Sequence, residues 1–207
     1  GGKPSIRDLV GSEKGMDCGR DTITLYSPQS DTVLRVLERD VVCFSRAEYV
    51  RRKYGESAPI FLTVYGWYVS RAAALVPPPE GAEYPYWAFA NSRDLDATMG
   101  GQVLTLEVPR SEAVFFDLQD WSRLLQLRFL GDEREETAFR RELELRGLDT
   151  QKVMLSSFYP EWKQQIFKSW ERLFRWHSAI QKGEEVPVAG IQAGLWCIRR
   201  EWVTKGL

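Results

Sequence analysis

Residues 60–91 read IFLTVYGWYVSRAAALVPPPEGAEYPYWAFAN, and this stretch decides the fold. Apolar residues lie on more than one side of its first half, which predicts a largely covered helix over residues 60–76. The triple proline at 77–79 cannot continue a helix, and the Glu-Gly pair after it is typical of a turn. Large aromatic and small residues then alternate, which predicts a strand over residues 85–89 with aromatic side chains on both faces. The stretch therefore places one covered helix beside one strand.

Outside this stretch, short segments rich in β-branched and aromatic residues recur at irregular spacing and predict further strands. They are residues 22–26, 41–44, 102–108, 113–117 and 191–198. Amphipathic helical patterns separate these strands, and after an opening β-α-β segment the order of strands and helices is irregular. Residues 90–101 predict a polar, mobile loop. We therefore predict an α+β fold of short mixed or antiparallel strands with several helices.

The composition and length of the chain indicate a single domain preceded by a tail. Residues 1–21 are rich in Gly, Lys and Asp and predict a flexible tail or linker, which leaves residues 22–207 as a single α+β domain. Hydrophobic residues make up 43% and charged residues 28%, values that are ordinary for a globular protein. No uncharged apolar run approaches the roughly 18 to 20 residues needed to cross a bilayer. We predict a soluble protein with no membrane partner.

Charge and reactive side chains exclude several classes of function. The 28 basic and 29 acidic residues nearly cancel, which argues against a general nucleic-acid or anionic-membrane binder. Three widely spaced cysteines do not form a disulfide scaffold, so a reducing compartment and a cytoplasmic location are expected. His177 is the only histidine, so His-rich metal sites are excluded and no metal is expected. A histidine near the end of a helix is typical of packing or capping.

Polar-tipped or cationic side chains on otherwise apolar elements are the candidate site residues, because pockets gather such groups. Arg71 lies on the covered helix and needs a partner, which is either a ligand anion or an internal acid such as Asp117 or Glu107. Gln192 lies on the last long strand and either bonds to backbone or faces a cleft. The predicted cleft between the first and last strands is lined by Tyr26, Gln29, Tyr65, Arg71, Tyr84, Trp87 and Gln192.

The aromatic side chains have a second interpretation, which is an ordinary packed core. Under this interpretation we expect Trp87, Trp170 and Trp196 to be mostly buried.

Four segments carry a family resemblance. They are residues 64–89, VYGWYVSRAAALVPPPEGAEYPYWAF; residues 102–121, QVLTLEVPRSEAVFFDLQDW; residues 169–174, SWERLF; and residues 191–203, IQAGLWCIRREWV. Over roughly residues 22–204 the chain resembles an uncharacterised bacterial domain-of-unknown-function family. The family's members open with a Leu-Trp/Tyr-Thr/Ser-x-Gln strand, here Leu25 to Gln29, and share a PPPEG-x-x-YP-x-W stretch. The resemblance implies no established activity.

The order of elements is also similar to the ADP-ribosyltransferase-like fold. That resemblance implies NAD held in a cleft between two small sheets, with an early contact residue, a middle aromatic residue and a late carboxylate. In this chain Tyr26 or Gln29 stands at the early position and Tyr65 or Tyr84 at the aromatic one. Gln192 stands at the late position, and Glu201 is the alternative because an amide carries no negative charge.

Two functions follow as hypotheses. The first is an NAD-dependent ADP-ribosyltransferase-like enzyme, a toxin or a modifier of protein or nucleic acid, with Gln192 and Glu201 as catalytic residues. Its NAD would be held by Tyr26, Gln29, Tyr65, Arg71, Tyr84 and Trp87. The alternative is a non-catalytic ligand-binding or regulatory module that uses the aromatic cleft for a nucleotide-like ligand. The oligomeric state stays open.

Overall fold

The computed structural model describes residues 21–45, 47–96 and 101–207. The predicted tail lies outside the described residues except for Asp21, and so do residues 97–100 of the predicted polar loop. The strands are β1 (Thr22–Gln29), β2 (Val42–Cys43), β3 (Tyr86–Phe89), β4 (Gln102–Pro109), β5 (Ala113–Asp117), β6 (Ile191–Leu195), β7 (Ile198–Arg199) and β8 (Val203–Lys205). The helices are α1 (Asp31–Arg39), α2 (Ala47–Tyr54), α3 (Ala58–Leu75), α4 (Leu118–Leu125), α5 (Glu133–Glu144), α6 (Thr150–Leu155), α7 (Pro160–Trp170) and α8 (His177–Gln181).

Six strands form one sheet in the order β5-β6-β3-β1-β4-β8, and every pairing described in it is antiparallel. This confirms the predicted α+β fold. The opening β-α-β segment does not pair its own two strands, because β2 pairs with β7 in a separate antiparallel ribbon. The strand predicted over residues 191–198 is divided into β6 and β7, since the chain leaves the larger sheet at Trp196 and Cys197.

The two faces of the larger sheet pack against different helices, because successive side chains of a strand alternate between faces. On one face, called the α3 face, Trp87 and Phe116 contact Tyr68 of α3, with ring centroids 5.1 and 5.5 Å from the Tyr68 ring. The opposite face, called the α1 face, packs on α1 and α8 through Leu25, Leu34, Leu37, Leu106, Phe115 and Ile180. The sheet therefore lies between two helical layers.

Helix α3 joins the sheet to the remaining helices, which is why its apolar residues lie on several sides. Its Trp67 ring lies 5.5 Å from that of Trp170 in α7. Nε1 of Trp196 donates a hydrogen bond of 2.6 Å to the carbonyl of Val76, directly after the helix. Trp170 is 0% and Trp196 4% exposed, as predicted, whereas Trp87 is partly exposed. Among the described residues, no helix has the length and apolarity needed to span a membrane.

Side-chain caps fix where several helices begin. Asp117 accepts a hydrogen bond of 2.9 Å from the backbone N of Gln119 at the start of α4. Asp132 and Glu135 form a capping box at the start of α5. Arg172 donates two hydrogen bonds of 2.9 and 2.6 Å to Glu135 and, as the largest cause, lowers the pKa of Glu135 to about 2. These contacts anchor α5 to the 3₁₀ helix Glu171–Phe174, which follows α7.

His177 packs in the core as predicted, but it begins a short helix rather than lying near the end of a long one. It begins α8, it is 5% exposed, and its Nδ1 accepts a hydrogen bond of 3.0 Å from the backbone N of Phe115 in β5. Burial lowers the pKa of His177 below its ordinary value of 6.5. Because a protonated imidazole has no acceptor nitrogen, the fold requires the neutral form.

We expect the free energy of unfolding to fall as the pH drops below 6.5, because the unfolded chain then binds a proton at His177 and the folded chain does not. Above that pH the imidazole is neutral in both states and adds no pH dependence. His177→Asn keeps an acceptor oxygen but does not titrate, so its stability should vary less over this window. Urea unfolding between about pH 5 and pH 8 measures the difference. An identical pH dependence in both proteins would contradict the assignment.

Candidate functional site

The α3 face of the sheet changes from apolar to polar at β3. Beneath α3 it carries Trp87 of β3 and Phe116 of β5. On β1 and β4 the same face carries half-buried polar side chains, and the hydroxyl of Thr24 donates a hydrogen bond to the carboxylate of Glu107. A boundary between apolar packing and polar side chains is a typical place for a ligand site.

One row of side chains crosses this boundary, because directly opposed residues in an antiparallel sheet project to the same face. In order across β4, β1, β3, β6 and β5, the row is Thr105, Tyr26, Phe89, Gln192 and Phe116. Neighbouring strands are about 4.8 Å apart, so the backbones of Tyr26 and Gln192 are about 10 Å apart, with Phe89 between them. We call these five residues and Asp94, which is described below, the Gln192 site.

Gln192 is a buried polar residue in this row. It is 5% exposed and lies between Phe89 and Phe116. Its side-chain amide makes no hydrogen bond to any residue that the structure describes. Neither polar atom of this amide is among the fully enclosed ones of the described residues, so the amide can be reached from solvent. A ligand with matching donors and acceptors could therefore pair with it.

Asp94 places a carboxylate next to Gly190, just before β6. It ends the 3₁₀ helix Ser92–Asp94 after β3, and its Oδ2 is enclosed without a hydrogen-bond donor among the described residues. A Cβ on Gly190 would lie 2.7 Å from this oxygen and 2.2 Å from Cδ2 of Leu118, so the carboxylate occupies space that only a glycine leaves. Gly190 stands two residues before Gln192, where a side chain would point to the same face. The Asp94 carboxylate therefore lies beside Gly190, about 7 Å along the chain from Gln192 and on the same face.

Tyr26 and Phe89 complete the site. Tyr26 is half-buried, and its hydroxyl makes no hydrogen bond within the described part of the chain. Phe89 is 6% exposed and places an apolar ring between Tyr26 and Gln192. The site thus offers a carboxylate, an amide, a phenol and a phenyl ring, which together suit a neutral ligand with hydroxyl or amide groups and a flat ring. Across the described residues, no group of three or more His, Cys, Asp or Glu side chains is placed to hold a metal ion.

Three other predicted site residues lie together in aromatic packing. The ring centroid of Tyr65 is 5.9 Å from that of Tyr84 and 5.4 Å from that of Trp87. Nε1 of Trp87 donates a hydrogen bond of 3.2 Å to the Tyr65 hydroxyl, and Trp121 lies 4.8 Å from Trp87. Burial, as the largest cause, raises the pKa of Tyr65, so this hydroxyl stays protonated. These contacts are typical of a packed core, which was the second interpretation of the aromatic side chains.

Arg71 lies apart from the Gln192 site. Its guanidinium is 3.5 Å from the carboxylate of Glu171, and both side chains are about half-exposed. Asp117 and Glu107, the acids named as examples of an internal partner, are therefore not the partners of Arg71, which points out of the core towards Glu171.

Gln29 and Glu201 are also separate from Gln192. Nε2 of Gln29 donates a hydrogen bond of 2.8 Å to the hydroxyl of Ser27, which in turn donates one of 2.6 Å to the carbonyl of Trp87. Glu201 is exposed in the 3₁₀ helix Arg200–Trp202, between β7 and β8. Of the predicted residues, the structure thus brings Tyr26 and Gln192 into one row.

Asp94 is the site residue that the sequence analysis missed, because it falls in a segment that reads as a polar loop. Its placement depends on a turn: Oδ1 of Asn91 accepts a hydrogen bond of 3.0 Å from the backbone N of Arg93 and caps the 3₁₀ helix. An asparagine followed by Ser-Arg-Asp is typical of such an ordered turn and could have indicated it.

Comparison with known proteins gives one match. The family model described as "Domain of unknown function (DUF3841)" matches residues 24–204. No curated protein matches the chain, and no solved structure matches it.

Proposed function

The chain belongs to the DUF3841 family, a domain of unknown function, and we propose from the geometry described above that it binds a nucleoside at the Gln192 site. Membership confirms the resemblance to an uncharacterised domain family and brings no activity with it. The observation that supports the proposal is that the Asp94 carboxylate and the Gln192 amide have no hydrogen-bond partner among the described residues and lie on the sheet face that carries Phe89. This proposal develops the hypothesis of a non-catalytic ligand-binding module and specifies nucleosides as the class of ligand.

The chemistry of the site favours a nucleoside over other neutral ligands. Ribose hydroxyls donate hydrogen bonds to carboxylates, which suits Asp94. A nucleobase presents donors and acceptors along one edge, which suits the amide of Gln192. Its flat ring can stack on Phe89 or Tyr26, a contact worth about 1 to 3 kcal/mol per base. The negative charge of Asp94 would repel a phosphate, so the nucleoside end of a nucleotide is the part expected at this site.

We expect Asp94→Asn and Gln192→Met to weaken nucleoside binding by roughly tenfold to a hundredfold each. Asparagine keeps the size of Asp94 but loses the charge that accepts ribose hydroxyls, and methionine keeps the length of Gln192 but loses its amide. Isothermal titration calorimetry with adenosine, guanosine, cytidine and uridine measures the affinities. 2′,3′-Dideoxyadenosine lacks the ribose hydroxyls, so the wild type should bind it roughly tenfold to a hundredfold more weakly than adenosine. The Asp94→Asn variant should bind the two ligands with nearly equal affinity.

Stability separates a binding role from a structural one. Because the Gln192 amide makes no hydrogen bond to any described residue, Gln192→Met should not lower the free energy of unfolding while it weakens binding. Gln29→Met is the matched control, since it removes an amide that is paired with Ser27 and should lower stability without changing affinity. If none of the four nucleosides binds at millimolar concentration, or if Gln192→Met leaves affinity unchanged, the proposal is wrong.

A second candidate is NAD-dependent ADP-ribosyl transfer, with a protein or nucleic-acid acceptor. The observation that favours it is the position of Asp94 beside Gly190, two residues before Gln192, because a carboxylate on this face provides the negative charge that an amide lacks. Asp94 would stabilise the positive charge that develops on the ribose when its bond to nicotinamide breaks. Glu201 is exposed in a separate turn and is the weaker candidate for this role.

Nicotinamide release from NAD tests the second candidate directly. A transferase should release nicotinamide, and Asp94→Asn should slow the release by roughly a hundredfold or more, as expected for loss of a charge that acts in the transition state. Nucleoside binding without any nicotinamide release would leave the binding module as the function. Release that Asp94→Asn does not slow would exclude Asp94 from the chemistry.

A further inference from the structure

A concave surface lies between α3 and α7, with a volume of about 510 Å³. It is lined by Thr63, Gly66, Trp67, Arg71, Gln164, Phe167, Lys168 and Glu171. These residues are separate from the Gln192 site, so an inference about this groove does not depend on the proposed function. The volume falls in the usual range for sites that bind small molecules, about 300 to 1,000 Å³.

The groove has an excess of positive charge. Arg71 and Lys168 line it together with a single acid, Glu171. The only ion pair that the described residues form here joins Arg71 to Glu171 at 3.5 Å, with the two side chains 51% and 55% exposed. An exposed pair of this kind contributes little to stability, so a ligand carboxylate can replace Glu171 as the partner of Arg71 at small cost.

The floor of the groove is aromatic. The Trp67 ring packs on Phe174 and Trp170, with centroids 5.8 and 5.5 Å away, and the Phe167 ring lies 5.3 Å from Trp170. The Trp67 residue is 7% exposed, and its indole N–H is buried without an acceptor among the described residues.

Gly66 keeps the groove open. It is exposed in the middle of α3, and a Cβ built on it meets no atom within 4 Å. Glycine inside a helix is less favourable than alanine, and nothing in the packing of the described residues requires it here. The absent side chain instead leaves the helix surface bare beside Trp67, where a flat ligand would lie.

We propose that the groove between α3 and α7 binds a small aromatic carboxylate, with the carboxylate held by Arg71 and Lys168 and the ring laid over Trp67 and Phe167. Arginine pairs with carboxylates through two parallel hydrogen bonds, which fixes the orientation of the ligand. The aromatic floor provides the apolar area that a purely ionic site would lack.

The probe is 2-naphthoate, with 2-naphthamide as its neutral counterpart, measured by isothermal titration calorimetry. We expect the carboxylate to bind roughly tenfold more tightly than the amide, since only the carboxylate pairs with Arg71. Arg71→Gln and Lys168→Gln should each weaken binding of 2-naphthoate by roughly fivefold or more, and Glu171→Gln should strengthen it because Arg71 is then unpaired. Arg140→Gln is the matched control, because Arg140 forms a comparably exposed pair with Glu144 on α5.

Gly66→Leu provides the decisive variant. Its side chain has room at the helix surface, so its melting temperature should equal or exceed that of the wild type, while it fills the groove and abolishes binding of 2-naphthoate. Absence of binding to the wild type at millimolar concentration would overturn the proposal. So would equal affinity for the carboxylate and the amide, or binding that survives in Gly66→Leu.

Discussion

Trp170→Ala is expected to lower the free energy of unfolding by about 3 to 5 kcal/mol, the range for truncation of a buried tryptophan. Trp170 is 0% exposed, at the end of α7, and its ring packs edge-on against Trp67 and Phe167. Its Nε1 also donates a hydrogen bond of 2.8 Å to the carbonyl of Arg128, in the segment between α4 and α5. One side chain therefore joins three parts of the helical layer. Urea unfolding measures the change.

The variant Trp170→Phe separates ring packing from the hydrogen bond. It keeps an aromatic ring but leaves the Arg128 carbonyl without its donor, so its loss should be smaller than that of the alanine variant, at about 1 to 3 kcal/mol. A loss below about 1 kcal/mol for Trp170→Ala would show that this ring is not part of the core.

Gly194→Ala is expected to lower the free energy of unfolding by about 3 kcal/mol, although it adds only a methyl group. Gly194 lies in β6 between β3 and β5, and a Cβ built on it would be 2.1 Å from the hydroxyl oxygen of Tyr68 and 2.9 Å from Cζ. Tyr68 is 1% exposed and cannot move away without displacing the rings of Trp87 and Phe116. Thermal and urea unfolding measure the effect.

Tyr68→Phe tests the cause of this effect. The hydroxyl of Tyr68 is buried without a hydrogen-bond partner among the described residues, and burial raises its pKa. Its removal should therefore stabilise the protein by about 1 kcal/mol. It should also make room for the methyl group that Gly194→Ala adds, so the double variant should be more stable than the sum of the two single changes predicts. Additive effects would indicate that the loss in Gly194→Ala has another origin.

The elements were predictable where local physics decides them. Strands such as β4 and β5 alternate or concentrate β-branched and aromatic residues, and α3 ends just before a triple proline that no helix can accommodate. β8 has three residues, too few for a pattern to be detected. The pairing order could not be predicted, because it depends on contacts between residues far apart in the chain, such as Phe89 with Gln192.

The sequence indicated only part of the candidate site. Tyr26 and Gln192 stand out as polar side chains on apolar strands, and the sheet places both in one row. Asp94 does not stand out, because an aspartate in a polar segment is expected to be exposed to solvent. Only its packing on Gly190 in the structure distinguishes it. The partner of Arg71 was left open between a ligand anion and an internal acid, and Glu171 was not among the acids named, because the sequence does not show which helix packs beside α3.

The position of β6 has a consequence for biosynthesis. β6 lies between β3 and β5, although it follows both of them in the chain by many residues. Contacts between such distant segments close slowly, so the domain is expected to fold late and at a modest rate. During translation β3 and β5 each leave the ribosome with an unpaired edge that another chain can join. Crowded nascent chains of this protein should therefore depend on chaperones until residues 191–195 have been synthesised.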